Sequence, residues 1–348
     1  MKKCVISIIL NLLSINIYCQ DIDFSSFKVD KNDIKGKLIL INEVHNVPTN
    51  SLAYYLIIKE LTKNLTDSDT LNVFTERPYS SGLMLNKILQ HDSLSQKIKL
   101  SDFPQNKLPQ NAWLDSLLNL KKNIRFIGVD FEYDEGKRIK SYKYFFETLR
   151  DDFVKSHLPT QKLDDYIEKI NNKLLINKDV EVLKVFLNST SLKTKLIADA
   201  LFILEAKHQF FGYRDKNNYE RFKQIIESNL DVKNQYNFLI YGGAHINPNG
   251  FKVSKNLFNF FDKDKESPFF GNTLLIANYY FDCTSYGFYG SKEPQKENGG
   301  IYGLKGDEIV ITELKKKDWK SGLFVIKNDL TSPLQSFEKI LYFVIHQE

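Results

Sequence analysis

The sequence predicts an α/β fold: a mainly parallel central sheet flanked by helices. Three observations predict it. Short apolar runs at 38–41, 71–74, 124–129, 238–241 and 273–281 lack the in–out alternation of a half-exposed strand. That is the pattern of strands covered on both faces. Helical patterns at about 50–64, 81–98 and 113–122 separate the first runs, and strand–helix alternation implies parallel crossovers. Finally, four of the runs lead straight into ionisable residues, the position at which open parallel sheets build their ligand sites.

Taken in order, the chain opens on Lys2-Lys3 and a mostly apolar stretch over 5–17. That stretch is too short for a bilayer, which needs ~20 residues. With Cys19 before Gln20 it reads as a secretory signal peptide over 1–19, cut between those two residues. The expected product is an exported protein, periplasmic or secreted. Lipid anchoring at Cys19 requires small residues before it, and bulky Tyr18 argues against that. Cleavage leaves Cys283 as the one cysteine, so stability must come from a core rather than from disulfides.

Residues 20–348 are expected to form a single α/β domain. It carries a helical insertion at about 136–229, where segments near 138–155, 160–174, 178–188, 192–211 and 215–229 all read as amphipathic helices. Leu196, Ile197, Ala200, Leu201, Leu204 and His208 suggest the inward stripe of one of them. Strand-like runs at 308–312, 323–326 and 341–345, with a Gly- and Lys-rich stretch at 287–306, predict an antiparallel C-terminal extension on the sheet edge.

Composition narrows the function. Hydrophobic residues at 42% and charged residues at 26% belong to a packed globule. No segment after the leader is long and apolar enough to cross a membrane. Lys and Arg number 48 against 43 Asp and Glu, a small and dispersed excess that gives nucleic-acid binding no support.

The chemistry is expected at the strand ends. The run 38–41 leads to Glu43 and His45, the run 71–74 to Glu76 and Arg77, the run 124–129 to Asp130 and Glu132, and the run 238–241 to Gly242-Gly243-Ala244-His245. Singly, each has an ordinary explanation as a helix cap, a solvated loop charge or turn material. Together they place two of only six histidines and several carboxylates at the same edge of a parallel sheet. His91 and His157 read as surface residues, His208 as core and His346 as tail. Tyr213-Arg214-Asp215 opens the last helix of the insertion, and its charges are candidates for the same cleft.

These motifs, in this order, resemble the erythromycin esterase-like hydrolases, a superfamily that also holds the ChaN-type haem-uptake lipoproteins and the TIKI/TraB proteases. Glu43-Val44-His45-Asn46 is similar to the family's opening Glu-x-His motif, with Asn42 where Gly is usual. Glu76 resembles its second acidic motif, and Gly128-Val129-Asp130 its third-strand Gly-x-Asp. Arg214-Asp215 resembles the Arg-Asp helix start of the esterase branch, and Gly242-Gly243-Ala244-His245 the closing His motif. The resemblance spans about 40–285 and lies closest to the esterase branch.

It implies a hydrolase acting on an ester, lactone or related small molecule without a cofactor. Such chemistry needs a base for water and charge stabilisation for the oxyanion. His45 is the candidate base, oriented by a carboxylate such as Glu76, or Glu43 is itself the base if burial raises its pKa. Arg214 and His245 are candidates for stabilising the oxyanion or protonating the leaving alkoxide, and Asp130 for lining the pocket. No Gly-x-Ser-x-Gly elbow is present to supply a serine nucleophile. The TIKI resemblance implies an alternative in which Glu43, His45 and His245 bind a divalent metal such as Mn²⁺ or Co²⁺. The ChaN resemblance implies another, a haem-binding protein.

Overall fold

In a computed structural model, described over residues 21–45, 47–89, 120, 123–130, 132, 140–172, 174–205, 211–246, 256–285, 295–299, 322–327 and 339–347, the chain has an α/β fold. It forms two compact units. One comprises Met1–Phe74, Leu108–Arg125 and Asp215–Glu348, the other Thr75–Lys107 and Phe126–Arg214. The signal segment, the helix expected over 113–122 apart from Leu120, the strand expected over 308–312, and His91 and His208 lie outside the described residues.

The first unit is built on strands β1 (Asp21–Asp23), β2 (Leu38–Glu43), β5 (Tyr236–Gly242), β6 (Thr273–Ser285), β7 (Gln295–Gly299), β8 (Gly322–Lys327) and β9 (Ile340–Gln347). Strands β3 (Leu71–Pro78) and β4 (Ile124–Asp130) begin in it and end in the second unit. The sheet order is β1-β8-β9-β6-β2-β5-β3-β4, with β7 on β6. β2 runs parallel to both β5 and β6, and β6 parallel to β9. At the strand starts, the Tyr236 N–H donates to Thr70 O and the Leu71 N–H to Asn123 O. β2 is central, and Leu38, Ile39, Leu40 and Ile41 are all buried, which explains their unbroken apolar run. Helices α1 (Lys31–Ile34), α2 (Thr49–Lys63), most of α8 (Phe211–Asn229), α9 (Gly243–Ile246) and α10 (Leu257–Lys263) complete the unit.

The C-terminal strands differ in one respect from the expected extension. β8 is antiparallel to β9 and β7 antiparallel to β6, but β9 runs parallel to β6 and lies inside the sheet. The reason is visible in β9 itself. Ile340, Tyr342, Phe343, Val344 and Ile345 are buried on both faces, a pattern no edge strand needs. The chain between β6 and β9 is long enough for a parallel return. His346, read from the sequence only as a tail residue, is fully buried in this strand.

The second unit contains α3 (Tyr79–Leu89), α4 (Lys140–Lys155), α5 (Gln161–Asn171), α6 (Asn177–Ser189) and α7 (Lys195–Glu205). α4 packs on α3, α5 and α7, and α6 on α5 and α7. The insertion expected over 136–229 is helical over its described part. Its α7 buries Ile197, Ala200, Ile203 and Leu204, while Leu196 and Leu201 are only half-buried. The inward face is thus rotated from the expected stripe. It also takes in buried Asp199, which accepts hydrogen bonds from Tyr79 Oη at 3.0 Å and Lys195 Nζ at 3.2 Å.

Two glycines set the packing near the strand ends of this unit. A Cβ on Gly128 would stand 2.0 Å from Pro78 O, and one on Gly82 would stand 2.5 Å from Gly128 N. Glycine at both positions is therefore a steric requirement of α3 and β3 passing β4.

Candidate active site

The centre of the first unit is the carboxyl end of β2 beside that of β5. The two strands are in register, with Glu43 paired to Gly242. His45 follows Glu43 by two residues, and His245 follows Gly242 by three. The two histidine motifs therefore leave the sheet from neighbouring strands about 4.8 Å apart. A Cβ on Gly243 would lie 3.6 Å from Glu43 O, so the turn into α9 packs directly on the end of β2.

Each imidazole is held by a carboxylate. His45 Nδ1 lies 2.6 Å from Glu43 Oε1, and His245 Nδ1 lies 2.6 Å from Asp215 Oδ1. Asp215 comes from α8, so the second pair joins a helix to a strand end. The pairs differ in exposure: the His45 side chain is 35% exposed and that of His245 only 10%. The first is open to a reactant from solution and the second is nearly enclosed. Asn218, one turn beyond Asp215 on α8, donates to Tyr241 Oη at 2.6 Å, and the Tyr241 ring stands edge-on to the His245 imidazole.

The loop carrying His45 is pinned from beneath. β2 and β6 are paired in register as far as Ile41 and Ile276. Beyond that point two asparagines take over. The Asn278 N–H donates to Asn42 Oδ1 at 2.7 Å, and Asn278 Nδ2 donates to Asn42 O at 2.6 Å. The Asn42 side chain thus continues the ladder that the backbone leaves. The Val44 N–H donates to Tyr280 Oη at 3.2 Å, and that hydroxyl donates to Asn50 Oδ1 at 2.8 Å. Burial raises the Tyr280 pKa well above its ordinary value, which keeps it a neutral donor. Asn50 Nδ2 closes the loop on Val44 O at 2.8 Å. Tyr54, one turn further along α2, donates to Glu43 Oε2.

His346 lies in the same floor, stacked on Tyr280 with ring centroids 4.6 Å apart. Asn278 uses its amide nitrogen on Asn42 O, so its Oδ1 faces His346 Nε2 at 3.2 Å and accepts from it. Nδ1 then accepts from Thr49 Oγ1 at 2.7 Å. The network fits one neutral tautomer, and burial lowers the His346 pKa to about 3.

In the second unit, Glu76 is half-buried near the end of β3 and Asp130 is buried at the end of β4. Buried Glu132 accepts from the Ser80 N–H at 2.9 Å and from Ser80 Oγ at 2.8 Å, so it serves as a cap for the first turn of α3. Arg214 lies on α8, and its side chain is outside the described residues.

Sequence reasoning named both histidines and Glu43. It passed over Asp215 as the partner of His245, for which the Arg-Asp helix start was the available signal. It also passed over Tyr54, which gives no signal at all: a tyrosine on an apolar helix face reads as core. Chemically, an imidazole whose Nδ1 is fixed by a carboxylate is set to exchange protons through Nε2. The same pairing orients imidazoles that bind metals, and Glu43 and His45 each offer a ligand atom within 4.8 Å of the other, so this pair also fits a divalent ion, which would supply Lewis-acid activation of water.

No protein-family model matches the chain, and no curated protein matches it. Solved structures do. A variant of the erythromycin esterase EreC in its open conformation is 13% identical with a TM-score of 0.58, over 94% of each chain. A succinoglycan biosynthesis protein is 13% identical with a TM-score of 0.57, over 94% of this chain and 92% of that one. A Bacillus cereus protein is 14% identical with a TM-score of 0.55, over 91% and 90%. At such identities the likeness is one of α/β fold alone.

Proposed function

We propose that the protein is an exported hydrolase of the erythromycin esterase-like type, acting on an ester, lactone or related small molecule. The observation that carries this reading is the presence of two carboxylate-held imidazoles on neighbouring parallel strand ends, His45 with Glu43 and His245 with Asp215. In this reading His45 Nε2 takes a proton from water as the water oxygen attacks the acyl carbon, and Glu43 offsets the charge of the imidazolium. The C=O π pair moves onto oxygen to give the tetrahedral oxyanion. Its collapse breaks the bond to the leaving alkoxide, which takes a proton from Nε2 of a doubly protonated His245 held in orientation by Asp215, and the proton carried by His45 returns to His245 through solvent, restoring both imidazoles. Arg214 is the candidate for stabilising the oxyanion, with Glu76 and Asp130 as further site residues.

The test is hydrolysis of a panel of p-nitrophenyl esters and lactones by purified protein, with and without a chelator. Turnover that the chelator leaves unchanged is expected. Turnover abolished by the chelator and restored by Mn²⁺ or Co²⁺ would replace this mechanism with the metal-dependent one. No turnover of any substrate, with haem absorbance on titration, would replace it with a binding function.

A further inference from the structure

Helix α2 presents two polar side chains to the end of β2. Asn50 and Tyr54 are four residues apart, so they lie one above the other on a single helix face. Both are buried. Asn50 reaches Val44 O, and Tyr54 reaches the carboxylate of Glu43. The two oxygens of that carboxylate meet different elements: Oε2 takes the Tyr54 hydroxyl of α2 and Oε1 faces His45 Nδ1 on the loop at 2.6 Å. A glutamate carboxylate sits on three soft torsions, and a hydrogen bond to the half-exposed imidazole of a loop residue does not by itself remove their freedom. A second bond, from a rigid buried donor on the opposite oxygen, removes that freedom.

We infer that Tyr54 is a positioning residue of the site, one that fixes Glu43 in the rotamer that holds the His45 ring. The inference rests on the hydrolytic reading for its effect on turnover, but not for its effect on the hydrogen bond. Tyr54 acts through Glu43, so its contribution disappears when Glu43 no longer carries a carboxylate. Placing the donor on a packed helix rather than on the loop gives the pair a rigid reference, since the loop from Val44 onward carries His45 itself.

The experiment compares wild type, Tyr54→Phe, Glu43→Gln and the double variant. Phenylalanine keeps the packed ring and removes only the hydroxyl, and the thermal midpoint of each variant reports that the fold is retained. The first readout is the downfield proton NMR signal of the His45 Nδ1–H, assigned by its loss in His45→Gln. It should move upfield or broaden in Tyr54→Phe, and adding Tyr54→Phe to Glu43→Gln should change nothing further. The second is turnover of the best p-nitrophenyl ester. Here kcat should fall about tenfold in Tyr54→Phe with KM unchanged, the equivalent of one lost hydrogen bond to a charged group. An unchanged signal in Tyr54→Phe, or an equal effect of the hydroxyl with and without Glu43, overturns the inference. A wild type inert on every ester, with the signal still coupled to Tyr54 through Glu43, sustains the positioning role and removes the hydrolase reading alone.

Discussion

At the scale of single residues, Asp215 has the most direct effect on the second histidine. It accepts from His245 Nδ1–H and so presents Nε2 as the working nitrogen. Asp215→Asn keeps the shape but offers an amide that can favour the other tautomer. The proposed mechanism therefore expects kcat to fall by roughly 10²-fold or more, the scale of losing one proton-transfer group, with the fold intact. Steady-state kinetics beside a thermal melt checks this, and kcat within a factor of about two of wild type would remove Asp215 from the mechanism. Both histidines were legible in the sequence because each follows closely on an unbroken apolar run, a position with few structural duties. Their partners were less legible. Glu43 sits two residues from His45 and shares its loop, but Asp215 is 30 residues from His245 and meets it only through folding. His346 was misread because a histidine near a terminus carries no sign of burial until β9 is seen to lie inside the sheet.

At the scale of elements, the buried strands were readable because burial on both faces leaves an unbroken apolar run. The register of their packing was not. On α7 apolar residues spread over more than half of the helix circumference, and periodicity alone could not choose between a stripe that takes in Leu201 and one that takes in Asp199 and Ile203. The choice was made by the partners, including the buried bond from Tyr79 to Asp199. Gly128 shows the same limit. In the sequence it belongs to a Gly-x-Asp motif that points to chemistry, yet its own role is steric, since Pro78 O fills the space a side chain would need. Gly128→Ala should therefore destabilise the protein by at least about 1–3 kcal/mol, the ordinary cost of overpacking, because the obstacle is backbone and cannot rotate away. Urea unfolding measures this. A midpoint equal to wild type would show that β3 and β4 are not so closely apposed.

At the scale of the whole molecule, the buried His346 ties stability to pH. Its folded pKa of about 3 lies below the unfolded value of 6.5. Between those values the unfolded chain binds the extra proton, so this contribution is complete above pH 6.5 and is lost as pH falls toward 3. The slope is about 1.4 kcal/mol per pH unit within the window. Urea unfolding at pH 5 and pH 7 should show His346→Gln losing that slope, and parallel slopes in the two proteins would place the histidine outside the core. Export belongs to this scale as well. The Lys2-Lys3 start and the short apolar run motivate a mature chain beginning at Gln20, which N-terminal mass analysis of protein released by its host would check. A released form that keeps Met1–Cys19 would contradict it. The central claim is that the strand-end histidines perform hydrolysis, and the most direct measurement is kcat/KM of His45→Ala against wild type on the best ester of the panel. The account predicts a loss of roughly 10²–10⁴-fold with an unchanged thermal midpoint, because His45 sits on a half-exposed loop and carries little of the core; a variant that keeps wild-type kcat/KM would contradict it.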